Sequence, residues 1–139
     1  MTVYNHNDTP EINQLVRESE EALLGSILIN SANGDRTVVE ELKGFISPID
    51  FHDYRNRRIY KAMSDLKTCP HQINVAQELY LTKQLQEYDC SYLCHLIAQC
   101  PTWMDYLDYA KIVKDFSLRR NGLKAIKPNG KSLNKGIEL

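Results

Sequence analysis

From Ala22 to Ile29 the chain reads ALLGSILI, apolar at every position except Gly25 and Ser26. A stretch that apolar predicts a helix buried on most of its faces. Thr9-Pro10 and Ser19 are both candidate starts for it, since Pro is tolerated at the first helical position and Ser is a good cap. Gly25 at its centre costs about 1 kcal/mol relative to Ala, which points to another helix passing too close to leave room for a Cβ. The segment Ser31–Thr37 is a turn centred on Asn33-Gly34. Asp35 or Thr37 then caps a short helix through Leu42, with Gly44 as its stop. Pro48 opens a further turn ending near Phe51. From Tyr54 to Leu66 the stripe Ile59, Ala62, Met63, Leu66 has helical spacing, and Cys69-Pro70 breaks that helix.

In the second half, Asn74 with Gln77 predicts a capping box for a helix to about Leu85. Asp89 is placed to cap the next, which carries Leu93, Leu96, Ile97 and Cys100 and ends at Pro101. Thr102 with Asp105 starts what reads as the longest helix, Trp103 to about Asn121, with Tyr106, Tyr109, Ala110, Val113 and Phe116 on its apolar face. Asn121-Gly122 stops it. Alternating strand patterns are absent apart from short ambiguous stretches. The expected fold is all-α, a compact bundle of six or seven helices with Leu24, Ile27, Leu28, Ile59, Met63, Leu96, Val113 and Phe116 in its core. Residues 1–17 are expected to be a flexible lead-in or helix extension, 18–122 the helical head, and 123–139 a loose basic tail.

Composition narrows the function classes. The 139 residues suit one domain with its own core, and 42% apolar with 25% charged residues is ordinary for a soluble globular protein. A net charge of −1 argues against bulk attraction to nucleic acid or a membrane surface. No apolar run nears the roughly 20 residues needed to cross a bilayer, and the polar N-terminus lacks the apolar stretch of a signal peptide. Cytoplasm is the expected location, with Cys69, Cys90, Cys94 and Cys100 as thiols.

Candidate chemistry is sparse. Gly130-Lys131-Ser132 matches the end of a phosphate-binding loop, but Ala125 stands where that loop needs Gly and no strand precedes it. Cys69, His71, Cys90, Cys94, His95 and Cys100 form the one cluster of metal-ligand types, without the tight knuckle spacing of structural zinc sites, so no metal is expected. No local signature marks a Cys–His nucleophile. Arg55, Arg57, Arg58 and Lys61 make a possible basic contact face, to be weighed against a solvated helix face with Lys61 and Asp65 paired at i,i+4. Trp103, Tyr106 and Tyr109, with Arg119 and Arg120 at the other end of the same helix, are candidate partner-binding residues, because aromatics and arginines anchor interfaces. No catalytic residue is assigned.

Four blocks recur in one order: Glu20, Leu23, Leu24-Gly25 and Ile27–Ile29; Asp50-Phe51, Arg57-Arg58 and Ile59-Tyr60; Tyr92-Leu93 and Pro101-Thr102; Tyr109-Ala110, Ile112-Val113, Ser117 and Arg120. In order and spacing they resemble the N-terminal domain of replicative DNA helicases of the DnaB type, over about residues 18–120. The chain departs from that pattern at Asn56, where the family commonly has His, at Asn74, where it has Asp, and at Leu15-Val16 in place of a Pro-led entry. The family continues into a helical hairpin, a linker and an ATPase domain. Here Pro128-Asn129-Gly130 interrupts, so the expectation is a head domain without the motor.

The resemblance implies assembly rather than catalysis: a collar shared with other helicase subunits, docking of primase, and contact with a helicase loader. It implies no cofactor in this chain, with ATP and Mg expected only on the ATPase domain. Alternatives are the helicase-binding C-terminal domain of a primase, a small helical DNA-binding protein using Arg55 to Lys61, and a cysteine-dependent metal protein.

Overall fold

The computed structural model describes residues 9–122. Six α-helices fill this span: α1 Pro10–Asn30, α2 Thr37–Lys43, α3 Tyr54–Asp65, α4 Gln72–Leu81, α5 Asp89–Ala98 and α6 Tyr106–Arg120. Single 3-10 turns at Pro48–Asp50 and Trp103–Asp105 precede α3 and α6. Among the described residues there is no strand, and the fold is all-α. The tail at 123–139, with its Gly-Lys-Ser, and residues 1–8 of the lead-in lie outside them.

Helix α1 is the axis of the bundle, packed against α2, α3, α5 and α6. Of the two candidate starts the structure uses Thr9, whose hydroxyl accepts the Ile12 N–H at 3.1 Å. Ser19 is buried inside the helix and donates to the Val16 carbonyl. The run from Ala22 to Leu28 is buried throughout. Gly25 does what its position implied: a Cβ there would lie 2.3 Å from the Leu96 carbonyl oxygen of α5 and 3.1 Å from Cys100 Cβ. Only glycine lets α1 and α5 approach so closely.

Asp35 accepts both the N–H and the hydroxyl of Thr37 to start α2, which buries Val38, Val39 and Leu42. Asp53 caps α3 by accepting from the N–H groups of Arg55 and Asn56. Leu24, Ile27, Leu28, Ile59, Met63, Leu96 and Val113 all lie in the core.

Four boundary expectations change. His71, not Asn74, caps α4; the Asn74 side chain instead donates to the carbonyl of Cys69. That helix stops at Leu81, short of Leu85, where Lys83 turns to φ 61°. Asp89 is not a free cap but a buried ion-pair partner inside α5. The longest helix is α1, with 21 residues against 15 in α6.

Phe116 is only half-buried and lies outside the core cluster. The inward line of α6 runs Ala110, Val113, Ser117, because Ser117 is drawn in by its 2.7 Å hydrogen bond to Asp50. That rotation leaves Phe116 on the flank.

Candidate functional site

Three buried carboxylates organise the polar interior. Glu20 on α1 is 1% exposed and accepts from the N–H of His52 at 2.5 Å, the N–H of Asp53 at 3.3 Å and the side-chain amide of Asn56 at 2.9 Å. Asn56 in turn accepts from the Tyr92 hydroxyl at 2.6 Å. One chain of hydrogen bonds therefore ties α1, α3 and α5 together. Burial pushes the Glu20 carboxyl above its usual range, opposed by the Asn56 bond, the two backbone donors and the charge of Arg120. Burial likewise raises the Tyr92 hydroxyl.

Asp50, in the turn before α3, ties that turn to α6. It accepts the Ser47 N–H, the Ser117 hydroxyl and the Lys114 ammonium, the last at 3.2 Å, while its own carbonyl accepts from Arg120. Asp89 holds Arg58 through two contacts of 3.0 and 3.2 Å and also accepts the Gln86 N–H. Both side chains are buried, 5% exposed for Arg58 and 0% for Asp89. Further hydrogen bonds offset the cost of burying such a pair: Arg58 also reaches the Gln84 carbonyl at 2.7 Å, although its Nε is buried without a partner.

The four residues of the basic face are thereby dispersed. Arg58 points inward. Arg57 donates to the Phe51 carbonyl at 2.6 Å, and the Arg55 guanidinium stacks on the Tyr92 ring at 3.5 Å. Lys61 is exposed and paired with Asp65 at 2.8 Å. These residues hold α3 against its neighbours more than they form one cationic surface.

The candidate partner residues on and before α6 are also split. Trp103 is 47% exposed, beside Met104 at 64%. The Tyr106 hydroxyl donates to Glu41, which pushes it up to about 12, and the Tyr109 hydroxyl donates to the Thr102 carbonyl. Arg119 pairs with Asp115. Tyr106 and Arg119 are thirteen positions apart, about 20 Å along the helix, so the aromatic group and the arginines do not make one patch.

Cys90 and Cys94 are exposed thiols, and Cys94 accepts from the Gln72 amide. Among the described residues no group of three His, Cys, Asp or Glu side chains is arranged to hold a metal, and no helix is long and apolar enough to cross a membrane.

One surface feature was missed by sequence reasoning. A groove of about 420 Å³ lies between α3 and α4, with Ala62 and Leu79 among its lining residues and Tyr54 at its lip. Tyr54 is 66% exposed. Its signal was present as an aromatic directly after the Asp53 cap, off the Ile59–Met63 stripe.

Comparison with known proteins agrees with the arrangement of blocks. The profile of the family described as "DnaB-like helicase N terminal domain" matches residues 12–115. Among solved structures the chain is similar to the crystal structure of the N-terminal domain of DnaB helicase from Mycobacterium tuberculosis. The two share 26% identity and a TM-score of 0.67, over 75% of this chain and 74% of that one. No curated protein sequence matches significantly.

Proposed function

The chain belongs to the family of DnaB-like helicase N-terminal domains, and from that premise we propose that it is the non-catalytic head of a replicative DNA helicase. In this reading it joins other subunits in a collar and docks primase, with ATP and Mg bound by an ATPase domain of the parent protein. A helicase loader is a further partner. The family match over residues 12–115 carries the proposal. The interior supports it: the buried carboxylates Glu20, Asp50 and Asp89 are each engaged in joining helices. Such a domain works through its surface.

Of the residues proposed for partners, Trp103 is the best placed, since the hydroxyls of Tyr106 and Tyr109 are tied to Glu41 and Thr102. Arg119 and Arg120 would serve a separate contact. Isothermal titration of the full chain with primase from the same replication system tests the docking role. Saturable binding weakened by Trp103→Ala is expected. No heat of binding at high micromolar concentration would remove primase as partner, and ATP turnover by the chain alone would overturn the non-catalytic assignment.

A further inference from the structure

Two thiols stand one turn apart on the outer face of α5. Cys90 and Cys94 are both exposed, turned away from the side of the helix that buries Tyr92, Leu93 and Leu96. Residues at i and i+4 of a helix share a face, with their Cβ atoms about 5–6 Å apart. A disulfide needs a Cβ–Cβ distance of about 3.5–4.5 Å, so an intact helix holds this pair too far apart to oxidise onto itself. One ion held between two sulfurs needs more room. With metal–sulfur bonds of about 2.3 Å, a linear sulfur–ion–sulfur unit spans about 4.6 Å. The spacing that disfavours a disulfide therefore suits a bridging ion.

The donors decide which ion. Zinc takes four ligands, and among the described residues no further His, Cys, Asp or Glu joins these two to hold a metal. Two thiolates alone suit a soft monovalent ion of low coordination number, of which copper(I) is the biological example. Binding breaks both S–H bonds, passes the two protons to water, forms two Cu–S bonds and changes no oxidation state. The resulting complex carries one negative charge. Two helix ends favour that charge. Cys90 is the second residue of α5, and Cys94 accepts at 2.9 Å from the side-chain amide of Gln72, the first residue of α4. Helix N-termini attract negative charge, and a hydrogen bond to a ligand atom fixes its orientation.

We propose that Cys90 and Cys94 form a two-coordinate copper(I) site on the surface of the domain. The site is independent of the collar role and stands or falls without it.

Transfer of Cu+ from its coloured complex with bicinchoninate, under reducing and anaerobic conditions, tests the site in the full chain. One tightly held ion per chain is expected. Cys90→Ser and Cys94→Ser should each weaken binding about a hundredfold, the gain typical of two contacts held in one molecule. The double variant Cys69→Ser with Cys100→Ser should bind as wild type does. A variant combining Cys94→Ser with His95→Cys keeps the number of thiols but turns one to another face, and it should be as weak as Cys94→Ser alone. Circular dichroism of each variant checks that the helices remain.

Tight binding by the relocated-thiol variant would mean that thiol number and not placement decides, and would overturn the site. Loss of binding in the Cys69 and Cys100 double variant, with its helices intact, would move the ion to those thiols. A dimer that sediments only with Cu+ present would assign the ion to thiols of two chains and exclude chelation within one.

Discussion

Arg58 and Lys61 are three residues apart on α3, yet their surroundings are opposite. The Arg58 side chain is 5% exposed and held by Asp89 of α5 at 3.0 Å, while Lys61 is 67% exposed and reaches only Asp65, one turn along its own helix. The same contrast divides the molecule. On the α1, α3 and α5 side, charged and amide groups are buried and bonded to partners distant in sequence. Along the α3 and α4 rim, charges pair locally and stay wet. Buried pairs are costly to break because the surviving charge has no water to return to, whereas exposed pairs contribute little in either direction. Glu20, Asp50, Arg58 and Ser117 are buried and hold the head together.

The largest expected effect comes from breaking the buried side. Asp89→Ala strands Arg58 without its counter-charge and frees the Gln86 N–H. A loss of about 3–5 kcal/mol is expected in urea unfolding, and a loss below about 1 kcal/mol would mean that Arg58 escapes to water.

The core and its flank sharpen the contrast next. Leu28→Ala, 1% exposed in α1, should lose about 2–5 kcal/mol. Phe116→Ala on the half-exposed flank of α6 should lose only about 1–2 kcal/mol. Equal losses would place Phe116 in the core after all.

The smallest effect concerns Glu20 and pH. Its folded pKa lies above the usual 4.5 because of burial, so the native state holds the proton more tightly than the unfolded chain. The stability from this linkage is complete below pH 4.5 and is lost as pH rises through the folded value. Unfolding of wild type and Glu20→Gln, compared from pH 7 to pH 4, should therefore show wild type gaining on the variant as pH falls. A change in the other direction would mean that the three N–H donors outweigh burial.

The sequence disclosed what local spacing controls. Gly25 implied a close helix, and α5 is there; Gly44 stops α2 as expected, although Arg36 rather than Asp35 or Thr37 holds its N-cap position. Apolar periodicity found most of the core for the same reason: each turn of a helix repeats its inward side. What it could not disclose were pairings across the fold. Asp89 lies 31 residues from Arg58, and Asp50 lies 67 from Ser117. A run of arginines looks alike whether its partner is water or a buried carboxylate. Ser117 replaced Phe116 as the inward residue of α6 because of Asp50, which no helical period contains.

Parallel double-mutant cycles on Arg58 with Asp89 and on Lys61 with Asp65 test this division most directly. The account predicts a coupling above about 2 kcal/mol for the buried pair and below about 0.5 kcal/mol for the exposed one. Couplings of equal size would contradict it.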